Sequence, residues 1–268
     1  TDVCPVCMGM PGSLPTPNEK AVEHVVRTGL ALGCVIATES KFDRKNYPYP
    51  DLMKGYQISQ FDLPIAAGGS MTIDATAGAR VIRINRVHLE EDVAKLMHRS
   101  DQTGSYSLLD INRAGVPLME IVSEPDMRSA DEAREYLTNL RAILRYIDVS
   151  TANMEEGSFR CDANVSLRDV GVEQLGPKVE VKNMNSFKSV HRALLFEIER
   201  QTEKIRSGER IMQETRGWAD DQGVTFSQRS KEQAHDYRYF PEPDIPPFVI
   251  EPGWIAKIND SLPELPAP

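Results

Sequence analysis

Val81-Ile-Arg-Ile-Asn-Arg-Val-His-Leu-Glu-Glu-Asp92 reads as a strand whose later half puts Arg86, His88, Glu90 and Asp92 on one side. The period of two returns in Phe159-Arg-Cys-Asp-Ala-Asn-Val-Ser-Leu167. There the apolar residues are all odd-numbered, and Arg160, Asp162, Asn164 and Ser166 share the other face. Val179 and Val181 alternate with Lys178, Glu180 and Lys182. Met212 to Trp218 and Val224 to Arg229, joined through Asp220-Asp-Gln-Gly223, form a predicted hairpin. Strands with one apolar and one polar face argue for an antiparallel or mixed sheet backed by helices. The class is α+β, and the outer face of its sheet is rich in charge.

Three helical patterns supply the backing. The first follows Thr16-Pro17-Asn18-Glu19, a capping box with Pro at the first helical position, and carries Val22, Val25, Val26 and Leu30 until Gly33 ends it. The second opens on the Ser129/Glu132 capping box and repeats Ala133, Tyr136, Leu137, Leu140, Ile143, Leu144 and Ile147 at helical spacing. The third begins near Ser186, carries Phe187, Val190, Leu194 and Ile198, and stops at Gly208.

The 268 residues are 40% hydrophobic, which is ordinary globular composition. No apolar run approaches the roughly 18 residues a membrane span needs, and no signal peptide is visible, so a soluble, cytoplasmic protein is expected. Four cysteines in a chain of this length do not make a disulfide framework. A net charge of -9 is opposite to that of a dedicated nucleic-acid-binding domain, so RNA binding by this chain alone is expected to be weak. Phosphate-loop, dinucleotide-turn, zinc-protease and nucleophile-elbow motifs are all absent. Gly68-Gly69-Ser70 reads as a plain hairpin turn.

What remains for chemistry is a set of carboxylates and bases. Glu120 lies in Val116-Pro-Leu-Met-Glu-Ile-Val122, on the side of Leu118 and Val122 if this is a strand. Two readings stand open: a carboxylate that must be paired, protonated or metal-bound among apolar neighbours, or a strand end that has reached solvent. Glu90-Glu91-Asp92 has the composition of a solvated turn, and Asp162 between Arg160 and Asn164 that of a structural ion pair. Together Glu90, Glu120 and Asp162 offer the few carboxylates that Mg²⁺ prefers alongside water and phosphate oxygens. Lys45, Arg160, Lys178, Lys182, Arg216, Arg229 and Arg238 are candidates to neutralise phosphates. Cys4-Pro-Val-Cys7 is half of a four-ligand zinc site, with no second half in this chain.

Longer blocks then carry a resemblance. They are Cys4-Pro-Val-Cys-Met-Gly-Met-Pro-Gly-Ser-Leu-Pro15, Phe42-Asp-Arg-Lys-Asn-Tyr-Pro-Tyr-Pro-Asp51, Tyr56-Gln-Ile-Ser-Gln60 and His88-Leu-Glu-Glu-Asp92. Asp110 to Asp126, Asn153 to Ser166, Lys182-Asn-Met-Asn-Ser-Phe187, Gln213-Glu-Thr-Arg216 and His235 to Asp244 follow. Nearly the whole chain resembles the catalytic cradle domain of the GatB/GatE family, the B subunits of Asp/Glu-tRNA amidotransferases and their archaeal relatives.

The resemblance implies a curved, mostly antiparallel sheet backed by helices, like that of glutamine synthetase and the guanidino kinases. It implies a cradle domain over residues 1–250, lacking its N-terminal strand and first Cys pair. Residues 251–268 are then expected as a linker toward a C-terminal helical and tail region. The implied activity is that of a component of a glutamine-hydrolysing aminoacyl-tRNA amidotransferase, an ATP-dependent ligase forming C–N bonds. ATP phosphorylates the side-chain carboxylate of Glu-tRNA(Gln) or Asp-tRNA(Asn), and ammonia from the glutaminase (the A subunit) converts it to the amide. A small C subunit completes the heterotrimer. Carried over by motif, Glu90 and Glu120 hold Mg²⁺ with Asp162 beside them, while Lys45, Tyr47 and Lys54 lie near the mouth of the ammonia passage. Zn²⁺ at Cys4 and Cys7 is expected only in a protein that carries the other Cys pair. A non-catalytic tRNA-docking scaffold of the same complex is the alternative.

Overall fold

A computed structural model describes residues 3–76, 78–102, 104–230 and 237–266, with the side chains of residues 229 and 230 left out. The chain opens with helix α1 (Glu19–Ala31) and short strands β1 (Val35–Ile36), β2 (Glu39–Ser40), β3 (Asp43–Asn46) and β4 (Tyr56–Ser59). Longer strands follow: β5 (Ala66–Ala75), β6 (Gly78–Glu91), β7 (Lys95–Asp101), β8 (Gly104–Asp110) and β9 (Pro117–Ser123). Helix α2 (Ala130–Tyr146), β10 (Ala163–Val165), β11 (Val179–Lys182) and helix α3 (Phe187–Arg206) come next. The rest comprises β12 (Glu214–Ala219), β13 (Val224–Ser230), β14 (Phe240–Pro241), β15 (Phe248–Val249) and α4 (Pro252–Asp260). The mixed α+β class is as expected. No helix among the described residues is long and apolar enough to cross a membrane.

Contacts divide the chain into two units. The first combines Thr1–Met71, Arg83–Pro125 and His235–Leu265; the second is built mainly from Thr72–Ile82 and Asp126–Ala234. The strands form several small sheets rather than one large sheet. One has the order β1-β5-β6-β9, another β10-β11-β12-β13, and β14-β3-β4, β15-β2 and β7-β8 are smaller.

In the second unit, β11 and β12 run parallel, so α3 is the crossover between them, while β12 and β13 form the expected antiparallel hairpin. The ladder predicted over Phe159–Leu167 shrinks to β10, which pairs only with Val179 to Val181 of β11. β11 is four residues long, so the residues before Ala163 run beyond the main part of its ladder. There, Ser158 and Asn153 close a turn on each other instead. The predicted caps of α2 and α3 both form: Ser129 Oγ accepts from Glu132 N–H, and Ser186 Oγ accepts from Ser189 N–H.

Three expectations shift in the first unit. The cap of α1 is Asn18 rather than Thr16, because the Asn18 amide oxygen accepts from Ala21 N–H. Gly68-Gly69-Ser70 lies inside β5, not in a turn: Ser70 N–H donates to Leu32 O, and any Cβ at Gly69 would strike that carbonyl and the Cys34 sulfur. Within the stretch expected as a linker, Pro252–Asp260 is the helix α4, with Ile258 buried and Ser261 Oγ accepting from Arg27. Its signals were Pro at the helix start and the i, i+4 pair Trp254/Ile258.

Candidate functional site

β6 does two jobs along one strand. Ile82 and Ile84 are buried in its first half, Val87 and Leu89 in its second, so the apolar positions change from even to odd. The β6–β9 ladder slips between Ile84 and Arg86, where Asn85 makes a bulge and donates to Glu124 Oε1. A one-residue slip turns every later side chain over. The bulge therefore keeps aliphatic residues in the core while Arg86, His88 and Glu90 share the opposite face.

On that face His88 is the direct partner of Glu120 on β9, and Glu90 pairs with Leu118. One ligand atom from each of His88, Glu90 and Glu120 lies within 4.8 Å of the others. His88 Nε2 is 3.8 Å from Glu90 Oε2 and 3.8 Å from Glu120 Oε2, too far for a hydrogen bond. His88 and Glu90 side chains are only 3% and 7% exposed, whereas Glu120 is 45% exposed. Of the two readings left open for Glu120, the solvent-reaching one describes its surroundings. Its place beside two buried partners, not burial of its own, singles it out.

Burial pushes the Glu90 carboxyl up, but His88, the Lys45 charge and the Ser59 hydroxyl together hold it below the usual carboxylate value. Ser59 Oγ donates to Glu90 Oε2 at 3.2 Å. Arg86 Nε donates to His88 Nδ1 at 3.3 Å, which assigns the proton of a neutral imidazole to Nε2, facing the two carboxylates. The edge of an octahedron with ~2.1 Å bonds is about 3.0 Å. The carboxylate atoms, within 4.8 Å of each other, would draw closer around a divalent cation, whereas His88 Nε2 would ligate only by surrendering its proton. Side chains of β4 and of the residue that follows it hold this end of β6: Gln57 Nε2 donates to Glu91 O, and Gln60 Oε1 accepts from Leu89 N–H.

Around the carboxylates stand Lys45, Tyr47, Tyr237 and Tyr239. Lys45 Nζ lies 5.2 Å from the centre of the Tyr237 ring, which meets Tyr47 edge-on at 5.6 Å. Burial, with the charges of Asp51 and Glu90, pushes the Tyr47 phenol up. Burial, then Glu90 and Glu120, pushes Tyr239 up to about 12. Lys54 donates to Glu91 Oε1 at 2.7 Å and lines a cavity of about 10 Å³ with Cys7, Asp51, Asp92 and Gly115. That is room for one water-sized molecule.

A family model described as the GatB/GatE catalytic domain matches residues 1–256. The chain belongs to that family. It is 65% identical to the B subunit of the aspartyl/glutamyl-tRNA(Asn/Gln) amidotransferase of Dehalococcoides mccartyi (strain ATCC BAA-2266 / KCTC 15142 / 195), over 99% of this chain and 54% of that protein. The corresponding protein of Thermomicrobium roseum is 60% identical over 99% of this chain and 55% of its own length. That of Moorella thermoacetica is 58% identical over 99% and 56%. The chain spans about half the length of these curated relatives.

In this member of the GatB/GatE family the structure brings Glu90 and Glu120 together and adds His88, which the sequence motifs did not single out as a ligand. Period-two spacing had already put His88 on the face of Glu90; the strand register that sets it opposite Glu120 is what makes it a candidate ligand. Asp162 lies in the second unit, paired with Lys182 Nζ at 2.8 Å, and Lys182 also approaches Glu180. Arg160 and Lys178 are exposed in that unit, and Arg238 is exposed in the first. Arg216 is engaged by Thr225 Oγ1, Thr225 O and Glu214, so phosphate contact there would break formed bonds. Cys4 and Cys7 sulfurs are 3.3 Å apart as free thiols. The side chain of Arg229 and the motif residues His235 and Asp236 lie outside the described residues.

Proposed function

We propose that this chain is the carboxylate-activating part of an ATP- and Mg²⁺-dependent aminoacyl-tRNA amidotransferase, acting in the cytoplasm on Glu-tRNA(Gln), Asp-tRNA(Asn) or both. The observation that carries the reading is the juxtaposition of an ionised, buried Glu90 with Glu120 and His88 on paired strands. Family membership and the names of the relatives supply the substrate class.

A carboxylate resists amidation because its leaving group would be oxide. Transfer of the γ-phosphoryl group of ATP to a side-chain carboxylate oxygen breaks the bond to ADP and forms an acyl phosphate. Ammonia then attacks the acyl carbon, the bond to phosphate oxygen breaks, and the nitrogen loses a proton as the amide forms. Glu90 and Glu120 would hold a magnesium ion, which when bound supplies charge neutralisation for the phosphates. Ser59 and Lys45 keep Glu90 ionised and oriented, and Arg86 fixes His88 between the carboxylates. Lys45 and Arg238 are the proposed phosphate contacts of the first unit; in the second, Arg160 and Lys182 are phosphate candidates and Asp162 a catalytic one. Tyr47 and the Tyr237/Tyr239 pair shield the acyl phosphate from water. The water-sized cavity beside Lys54 suits the passage of ammonia, which a partner glutaminase would produce, with a small third partner completing the assembly. Zn²⁺ at Cys4 and Cys7 would require two further ligands.

The test is ADP release from ATP by the complete protein assembled with its partner subunits, using Glu-tRNA(Gln), uncharged tRNA and free glutamate. Turnover that needs the mischarged tRNA and Mg²⁺ and collapses in Glu120→Gln is expected. Persistence in Glu120→Gln would remove the metal assignment, and absence of tRNA-dependent turnover would leave a tRNA-docking scaffold.

A further inference from the structure

We propose that Phe61 and Tyr239 form a stacking platform for an adenine ring beside the Glu90/Glu120 pair. The inference deepens the reading above and rests on it for the identity of the ligands. β4 ends at Ser59, whose hydroxyl donates to Glu90, and the chain reaches Phe61 two residues later. Phe61 N–H donates to the buried carboxylate of Asp43 at 2.9 Å, so the residue is anchored by its backbone. The residue is nevertheless 60% exposed.

One face of the Phe61 ring lies on Tyr239, with centroids 4.5 Å apart and planes within 14° of parallel. Tyr239 in turn feels both Glu90 and Glu120. The run continues edge-on through Tyr237 at 6.2 Å to Tyr47. A single exposed phenylalanine is ordinary, because much protein surface is apolar. Here the exposed ring heads a four-ring wall that leads to a carboxylate pair, with the Lys45 ammonium over one of the tyrosines.

A second observation bears on the same wall. Arg238, between the two tyrosines, adopts a left-handed backbone conformation with φ 40°, which costs a non-glycine residue energy. Asn46 holds it there: its N–H donates to Tyr237 O and its Nδ2 to Arg238 O. These two bonds fix the backbone from which the Tyr237 and Tyr239 rings emerge.

Base stacking on an exposed aromatic face is tolerant of sequence and needs no hydrogen-bond readout, which suits a neutral ring in a site crowded with carboxylates. Two adenines are available to the proposed reaction: that of ATP, and the 3′-terminal adenosine of tRNA, to which the amino acid is esterified. Both share the chemistry of the platform.

The experiment uses the complete protein with two probes, a cytidine-cytidine-adenosine RNA trinucleotide and a non-hydrolysable ATP analogue with Mg²⁺. Phe61→Leu is expected to weaken one probe by at least about fivefold. Phe61→Trp should retain that probe and show tryptophan quenching when it binds. Weakening of the trinucleotide alone assigns the platform to the tRNA end; weakening of the ATP analogue alone assigns it to the nucleotide. Equal affinity of wild type and Phe61→Leu for both probes, or no binding of either probe to wild type, overturns the platform. Glu120→Gln, read by tRNA-dependent ADP release, judges the carboxylate site separately: release that survives this change sinks that site without touching the stacking result.

Discussion

In the second unit Glu197 is fully buried and accepts hydrogen bonds from three side chains; in the first, Glu90 is nearly as buried and accepts one, from Ser59. Glu197 accepts from Arg200, Gln201 and Thr225 and lies 3.6 Å from Arg216, which also binds Glu214. Glu90 has one hydroxyl at 3.2 Å, an imidazole at 3.8 Å and a second carboxylate across the ladder. The same residue types thus build a closed network in one place and an open one in the other. A saturated network has no coordination left to offer and works for stability. An under-coordinated one, kept ionised, is a place for something else to bind.

The contrast breaks if the two clusters respond alike to mutation. Glu197→Ala removes the buried carboxylate shared by two part-buried arginines, Arg200 and Arg216, and is expected to destabilise the protein by about 3–5 kcal/mol. Urea or thermal unfolding measures this, and a loss below about 1 kcal/mol would dissolve the distinction. Glu120→Gln should lower tRNA-dependent ADP release about 10²–10³-fold, the scale of losing an electrostatic stabiliser. Unfolding of the same variant should change by no more than about 0.5 kcal/mol, because Glu120 reaches solvent and makes no hydrogen bond to His88. Ser129→Ala removes the cap of α2 and should cost about 1 kcal/mol without affecting metal binding.

The smallest effect sharpens the comparison through pH. Burial raises the Glu214 carboxyl, but Ser227, Arg216 and Arg200 outweigh it and leave the value below normal. A depressed folded-state value gives stability that is fully present above the unfolded value of about 4.5 and is lost as pH falls through the folded value. Glu214→Gln should therefore flatten the acid limb of the stability curve while leaving neutral-pH ADP release intact. An unchanged acid limb would remove Glu214 from the network.

Much of this molecule was legible along the chain because the signals are local. Ser129 and Ser186 announce their helices, since a hydroxyl reaches the N–H three residues on whatever surrounds it. Val179-Glu-Val-Lys182 and the Glu214–Ser230 hairpin declare themselves by alternation, which burial of one sheet face enforces. α4 was overlooked because Ile258 alone is buried in it, too little to stand out from a Pro-rich stretch.

The candidate site divides along the same line. Residue types and family motifs single out Glu90 and Glu120 without a structure. That His88 joins them depends on which β9 residue faces it, and a change of one residue in register would have given it another partner. The Asn85 bulge turned His88 and Glu90 away from the core, and Ser59, Lys45 and Tyr239 arrive from strands and loops remote in sequence. Sequence alone therefore determined the class, the capped helices and the carboxylates, because these depend on neighbours along the chain. Tertiary structure decided their spacing, burial and charge state, because those depend on strand register and on groups that meet only when the chain is folded.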